Sequence, residues 1–125
     1  MVEDNPINHL LVKSVLKPTG CILHIIENGI VALEKLKTNG ELYNLILMDI
    51  QLPEMNGYEI TAYIRNQCAK PLMDIPIIAM TANAFKSEHQ KCINAGMNDY
   101  ISKPFKANEL YEKIYTLVSL QKIYK

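Results

Sequence analysis

Apolar segments alternate with helical patterns along this chain of 125 residues. Four segments rich in branched apolar side chains occur at 21–26, 45–50, 75–80 and 99–102. Their apolar positions run on without regular polar interruption, which is typical of parallel strands that helices cover on both faces of a sheet. We therefore predict that these segments are strands of a parallel sheet.

The intervening segments carry apolar residues at helical spacing. Asn5 is placed to cap the first helix, and Pro6 suits its first position because the ring fixes a helical backbone angle there. The predicted helices cover 6–17, 29–39, 57–68, 86–95 and a last segment from about 108 to beyond 118. This alternation predicts an α/β fold with right-handed crossovers, in which ligands bind outside the carboxyl ends of the strands.

Composition narrows the classes of function. The chain is 49% hydrophobic and 21% charged, as expected for a single globular domain over 1–125. Its 13 basic and 13 acidic residues balance, so no overall basic field would attract nucleic acid or anionic lipid. No apolar run approaches the ~20 residues that cross a bilayer, and the three cysteines form no CxxC motif. We predict a cytoplasmic domain with reduced thiols, no direct nucleic-acid binding and no membrane insertion.

Polar residues follow every predicted strand except the one at 21–26. Glu3 and Asp4 come after a two-residue apolar stub, Asp49 ends the next strand, Thr81 follows the one after, and Lys103 follows the last. Because the carboxyl ends of parallel strands share one edge of a sheet, we expect these side chains to meet in one crevice.

This set of residues fits phosphoryl chemistry. Clustered carboxylates repel one another unless a cation compensates, and hard oxygen ligands of net negative charge suit Mg²⁺. A carboxylate can act as a nucleophile and form an acyl phosphate, and Asp49 is the best-placed candidate between the acidic pair and Lys103. A metal ion and Lys103 would neutralise the transferring group, and the Thr81 hydroxyl could donate to a phosphate oxygen.

Four stretches carry a resemblance to a known family. They are VEDN (2–5), LILMDIQLPEMNGYE (45–59), MTANA (80–84) and AGMNDYISKPF (95–105). In order and spacing they resemble the receiver domain of two-component response regulators, over residues 2 to about 118. The last two stretches most resemble receiver domains attached to hybrid sensor histidine kinases. The resemblance implies a flavodoxin-like, doubly wound sheet of five parallel strands in the order 2-1-3-4-5.

The resemblance also implies roles for individual residues. Asp49 matches the phospho-acceptor, which would be modified to 4-aspartylphosphate, and Glu3 and Asp4 match the acidic pair that holds Mg²⁺. Asp4 would bind the metal directly, Glu3 largely through water, and Gln51 through its backbone carbonyl. Asp49 completes the predicted metal ligands. Thr81 is expected to act with Asp49 in catalysis.

Further matches concern the conformational switch and the loop geometry. Thr81 matches the switch hydroxyl, Tyr100 the aromatic switch residue, and Lys103 the lysine that pairs with the phosphoryl group and completes the catalytic set. The bond from Lys103 to Pro104 is expected to be cis. In the loop after the phospho-acceptor, Gly57 is expected to permit an unusual backbone angle.

The family's function follows as an expectation. A phosphohistidine on a histidine kinase or a histidine phosphotransfer domain would phosphorylate Asp49 with Mg²⁺, and a partner-binding surface would change shape. Such a domain is a signalling phospho-acceptor rather than an enzyme, although it takes part in its own phosphotransfer and dephosphorylation. A phosphorylation-independent interaction module of the same fold is the alternative. Haloacid-dehalogenase-like phosphatases need a second aspartate where this chain has Gln51.

Two features depart from the family pattern. Only Met1 and Val2 stand for the first strand, which leaves backbone groups of its neighbours unpaired. The sheet tolerates this, or the chain is a piece of a longer protein such as a hybrid kinase, or a second chain supplies a strand by homodimerisation or strand exchange. At the other end, Leu120, Ile123 and Tyr124 extend the last helix, either packing on its own sheet or facing a partner.

Overall fold

The computed structural model describes residues 1–82 and 85–123, the last five of these by their backbone. Three parallel strands form the sheet: β1 (Ile46–Asp49), β2 (Ile77–Thr81) and β3 (Asp99–Ser102), in that spatial order. The described α-helices are α1 (Pro6–Leu16), α2 (Gly29–Asn39), α3 (Gly57–Gln67), α4 (Lys86–Asn94) and α5 (Ala107–Ile123). The predicted α/β class and all five predicted helices are confirmed. None of the described helices is long and apolar enough to span a membrane.

Single-residue bridges extend the sheet beyond β1. Val2 pairs in parallel with Met48 on one side and with Ile26 on the other. The Val2 N–H donates to Leu47 O at 2.8 Å, and the Asp49 N–H donates to Val2 O at 3.0 Å. The resulting order, from Ile26 through Val2 to β1, β2 and β3, is compatible with the predicted order of five strands.

The predicted strand at 21–26 is shorter than its apolar pattern indicated, whereas the first strand is as short as expected. Residues 21–25 form no strand, and the Ile22 side chain is 89% exposed. The physical reason is the short neighbour: a two-residue stub offers only one bridging residue, Val2, against which this segment can pair. The apolar side chains of this segment predicted a strand because such residues are usually buried in a sheet. A strand also needs the backbone of a neighbouring strand for its hydrogen bonds, and that requirement is not visible in the segment itself.

Both faces of β1 and β2 are buried, as the continuous apolar runs predicted, whereas β3 is fully buried only at Ile101. One cluster, on the side of α2 and α3, contains Met48, Ile60 and Ile77. The other, on the side of α1 and α5, contains Leu47 and Ile78. Burial of each such side chain contributes about 1.5–3 kcal/mol. Successive residues of β1 and β2 thus anchor the strands from opposite sides and fix where their carboxyl ends lie.

Side-chain caps set where the helices begin. Asn5 Oδ1 accepts the Ile7 N–H at 2.9 Å, with Pro6 in the first turn, as the sequence predicted. At the start of α3, Asn56 and Glu59 form a reciprocal capping box. These bonds satisfy N–H groups that have no partner inside the helix. The caps place the first turns of α1 and α3 directly beside the carboxyl end of β1.

Gly57 is required for a different reason from the one predicted. Its backbone angle is not in the left-handed region; in this loop that conformation belongs to Glu54, with φ of 67°. A methyl group built on Gly57 would instead lie 2.5 Å from the carbonyl oxygen of Asp49. The glycine therefore permits a close approach of α3 to the end of β1.

The last helix continues to Ile123, beyond position 118 as expected. The side chains of Leu120 and Ile123, and the whole of Tyr124, lie outside the described residues. Whether this end of the chain packs on the sheet or faces a partner therefore stays a prediction.

Candidate functional site

A cleft of about 260 Å³ opens at the carboxyl ends of the strands. The residues that line it are Glu3, Asp4, Asn5, Asp49, Ile50, Gln51, Met80, Thr81, Ala82, Glu88 and Lys103. Every residue that the sequence placed in the crevice is in this set. They come from the segment after Val2, from the ends of β1 and β2, and from the loop after β3, which is the convergence that parallel strands predict.

Lys103 joins the acids of the cleft. Its Nζ lies 2.8 Å from Glu3 Oε1 and 3.2 Å from Asp49 Oδ1. Its backbone N–H donates to Thr81 O at 2.7 Å, and its bond to Pro104 is cis as expected. The side chain is 21% exposed, whereas those of the two acids are 0% and 6% exposed. Lys103 is thus a cation already held against the nucleophile candidate.

The carboxylate of Glu3 is fully buried and surrounded by donors. Asn8 Nδ2 donates to Oε1 at 2.7 Å, and the Asp4 N–H donates to Oε2 at 3.1 Å. His9 Nε2 lies 2.6 Å from the Glu3 carbonyl oxygen. Asn8 and His9, in the first turn of α1, were missed by the sequence analysis because neither belongs to a recognised motif. Together these contacts fix the orientation of the acid that receives Lys103.

Three carboxylates could share a cation. Glu3, Asp4 and Asp49 each offer an oxygen, and these atoms lie within 4.8 Å of one another. Asp4 is exposed, whereas Glu3 and Asp49 are buried and contact Lys103, so Asp4 is the acid most open to direct metal contact. Gln51 lines the cleft, and its N–H donates to Asp49 Oδ1 at 3.2 Å. An all-oxygen set of net negative charge fits Mg²⁺.

The three linked ionisable groups shift one another's pKa. Burial, with the Glu3 charge adding to it, raises the pKa of Asp49 to about 7. Burial would also raise the pKa of Glu3, but hydrogen bonds from Asp49 and Lys103 lower it to about 2. Burial opposes the charge on Lys103, yet its two acidic partners raise its pKa. Without a metal, the two neighbouring carboxylates therefore shift each other in opposite directions, with the pKa of Asp49 raised and that of Glu3 lowered.

Tyr100, in β3, is not among the residues that line the cleft. In the register of the sheet it pairs with Ala79, and Thr81 pairs with Ser102. Because alternate residues of a strand share a face, Tyr100 and Thr81 lie on the same side of the sheet. The phenol ring stacks on the His89 imidazole, with centroids 3.6 Å apart. A half-buried ring on the face of Thr81 fits the predicted switch position.

The structure adds one acid that the sequence did not single out. Glu88, in the first turn of α4, lines the cleft and accepts a hydrogen bond from the Tyr58 hydroxyl of α3. The same hydroxyl lies 4.0 Å from Cys92 Sγ. No sequence signal marked Glu88, because an acid in the first turn of a helix is ordinarily explained by the helix dipole.

Comparisons with known proteins agree with this geometry. The family model described as "Response regulator receiver domain" matches residues 1–115. Hybrid signal transduction histidine kinase L of Dictyostelium discoideum is 40% identical over 116 residues. That match covers 91% of this chain but only 7% of the kinase. The chain thus spans a small part of the length of this relative.

Solved structures are similar over nearly the whole chain. The receiver domain of sensor histidine kinase PA1611 from Pseudomonas aeruginosa has a TM-score of 0.82 and 38% identity, covering 94% of this chain and 93% of that one. That structure holds a magnesium ion coordinated in its active-site cleft. A putative response regulator from Chloroflexus aurantiacus has a TM-score of 0.85 and 28% identity, with coverage of 94% and 93%.

Proposed function

The chain belongs to the response regulator receiver domain family of two-component signalling, and from this premise we propose that Asp49 is its phospho-acceptor. The donor would be a phosphohistidine on a histidine kinase or a histidine phosphotransfer domain. An O–P bond forms between Asp49 and phosphorus as the P–N bond breaks, and the electron pair of that bond returns to the imidazole. The product is 4-aspartylphosphate.

The observation that carries this proposal is the position of the Lys103 ammonium. It contacts Asp49 at 3.2 Å and Glu3 at 2.8 Å, in a cleft that is open to a donor. As the phosphoryl group arrives, negative charge accumulates on its oxygens beside this cation. Thr81 lines the same cleft, and its hydroxyl supplies a donor to a phosphate oxygen.

The donor set supports Mg²⁺ as the cofactor. Asp4, Asp49 and the Gln51 carbonyl would hold the ion, with Glu3 acting largely through water. Bound there, Mg²⁺ would neutralise charge on the phosphate oxygens. The chain's own part is to hold these oxygens together, with the Lys103 ammonium 3.2 Å from Asp49 Oδ1.

Signalling would follow from a local change of charge. The acyl phosphate carries about two negative charges and three acceptor oxygens. Thr81 moves to donate to it, and Tyr100 turns toward the space that Thr81 leaves. The surface formed by α4, β3 and α5 changes shape, and a partner that prefers the new shape shifts the population toward it.

A direct experiment tests the phospho-acceptor. The protein is treated with Mg²⁺ and acetyl phosphate and then weighed by mass spectrometry. We expect one phosphoryl group on the wild type and none on Asp49→Asn. Equal labelling of the two proteins would show that another residue is modified, and no labelling of the wild type would favour a phosphorylation-independent module.

The remaining expectations stay predictions. The assembled cleft supports a phospho-acceptor over an inert module of the same fold, because the inert module has no need of a buried acid paired with Lys103. A cytoplasmic location, a homodimer and an exchanged strand are not tested by these contacts.

A further inference from the structure

The cleft contains a fourth acid, Glu88, in addition to Glu3, Asp4 and Asp49. Among the side chains described, those of residues 1–82 and 85–118, the ion pairs of the cleft are those that Lys103 makes with Glu3 and with Asp49, and Glu88 makes no ion pair. Its described contact is the hydrogen bond from Tyr58. Glu88 is half-buried, so water screens its charge only in part.

Tyr58 holds this carboxylate without neutralising it. Burial raises the pKa of the Tyr58 hydroxyl above its ordinary range, and the bond to Glu88 raises it further. The hydroxyl is therefore protonated at neutral pH and acts as the donor. A neutral donor fixes the position of an acid but leaves its full negative charge to act on the rest of the cleft.

We propose that Glu88, held in place by Tyr58, is a specificity-determining residue that sets the preference of the cleft between cations and anions. The inference rests on the proposed function, because it concerns the occupants of the same cleft. The Glu88 charge attracts Mg²⁺ and repels a phosphoryl group on Asp49. It thereby favours metal loading and weakens the hold of the cleft on an anion at Asp49.

The proposal predicts opposite changes in the affinities of the cleft for a cation and for an anion. Removing one negative charge from the rim of the cleft must weaken the binding of a cation and strengthen the binding of an anion. A residue that only supports α4 would alter both affinities in the same direction, because a distorted cleft binds every ligand less well. Opposite changes therefore separate electrostatic control from structural support.

The experiment measures both affinities by isothermal titration calorimetry at low salt. Mg²⁺ alone is titrated first, and beryllofluoride, an anionic mimic of the phosphoryl group, is titrated at saturating Mg²⁺. Glu88→Gln keeps an oxygen that can accept from Tyr58 but removes the charge. We expect about a threefold to tenfold weaker affinity for Mg²⁺ and a tighter affinity for beryllofluoride by a similar factor.

Two further variants complete the test. Tyr58→Phe keeps the ring but frees the carboxylate to turn toward water, so both affinities should move as in Glu88→Gln but by less. Glu112→Gln removes the same charge from the exposed face of α5 and should leave both affinities at the wild-type values. Circular dichroism establishes that each variant is folded.

The outcomes distinguish the two proposals. If the wild type binds both ions and Glu88→Gln binds them equally well, or binds both more weakly, the inference is overturned and the proposed function stands. A wild type that binds neither ion overturns both proposals. A Tyr58→Phe variant identical to the wild type would remove Tyr58 from the inference.

Discussion

The imidazole of His89 stacks on the phenol ring of Tyr100, with centroids 3.6 Å apart and planes inclined by 18°. The contact joins α4 to β3. Among the described residues, the buried Nε2 of His89 has no hydrogen-bond partner, so the stack itself positions the imidazole. Lys113 Nζ lies 5.3 Å from the centroid of the same phenol ring. We expect a turn of Tyr100 toward Thr81 to break this contact with His89.

We expect this stack to open when the cleft is occupied. Adding beryllofluoride and Mg²⁺ should shift the ring-proton NMR resonances of His89, because a departing aromatic ring removes its ring current. His24 is the internal control, since it contacts Tyr43 edge-on at 5.4 Å beside the far edge of the sheet. His89 resonances that stay fixed while calorimetry records binding would contradict the proposed movement.

The raised pKa of Asp49 predicts how stability depends on pH. Its folded pKa of about 7 exceeds the ordinary 3.8, so its favourable contribution is complete below 3.8 and is lost as the pH rises through 7. At pH 8 without metal, Asp49→Asn should therefore unfold with a free energy about 2 kcal/mol higher than the wild type. At pH 5 the difference should be much smaller.

Urea denaturation in the presence of EDTA measures this difference. The ionisation of Glu3 does not change stability between pH 5 and 8. Its pKa is lowered to about 2, so its contribution to the free energy of unfolding is complete above pH 4.5 and is lost only as the pH falls through 2. Glu112→Gln serves as the control for removing an exposed charge. A constant difference between Asp49→Asn and wild type from pH 5 to 8 would contradict the raised pKa.

Arg65 of α3 binds three acceptors in the two segments that precede β2 and β3. It donates to Gly96 O at 2.9 Å, to Met73 O at 2.8 Å and to Asn98 Oδ1 at 2.9 Å. Arg65→Ala should lower the free energy of unfolding by about 3 kcal/mol, since it leaves partly buried acceptors without a charged donor. Chemical denaturation measures the loss.

Two further variants test whether the planar guanidinium of Arg65, rather than its charge alone, stabilises the fold. Arg65→Lys should recover less than half of the loss, because one ammonium cannot reach three acceptors placed around a planar group. Lys91→Ala, at an exposed position of α4, should change stability by less than about 0.5 kcal/mol. Full recovery in Arg65→Lys would show that charge alone accounts for the effect.

The close approach of α3 to β1 makes Gly57 sensitive to substitution. A methyl group there would lie 2.5 Å from Asp49 O and 3.0 Å from Ile50 Cα, both backbone atoms that cannot yield easily. Gly57→Ala should cost about 2 kcal/mol or more in thermal or chemical unfolding. Gly40→Ala is the control and should cost less, because its nearest contact is the flexible end of Leu72 at 3.0 Å.

The sequence predicted those parts of the molecule that depend on local chemistry. Asn5 and Pro6 marked the start of α1 because capping needs only neighbouring residues. Asp49 and Lys103 could be placed together because parallel strands share an edge. The segment at 21–26 was predicted less well, because pairing requires a backbone that another part of the chain must supply.

The missed site residues share a physical cause. The side chains of Asn8 and Glu88 bind residues of other segments, Glu3 and Tyr58. The residues next to them in the sequence form no motif that predicts these contacts. Gly57 was predicted to be required, but the predicted reason was wrong. A side chain is excluded there because α3 lies close to the backbone of β1, and the sequence of the loop alone does not reveal that distance.

The bonds of Lys103 have a kinetic consequence. A lysine on a solvated loop would have to shed water and order a flexible chain at the moment of transfer. Here that ordering is completed during folding, because two carboxylates already hold the ammonium. An arriving phosphate would need only to replace one anionic neighbour with another. If Asp49 accepts a phosphoryl group as proposed, the activation barrier would contain little solvent rearrangement around the cation, and the rate of transfer would depend mainly on the reactivity of the donor.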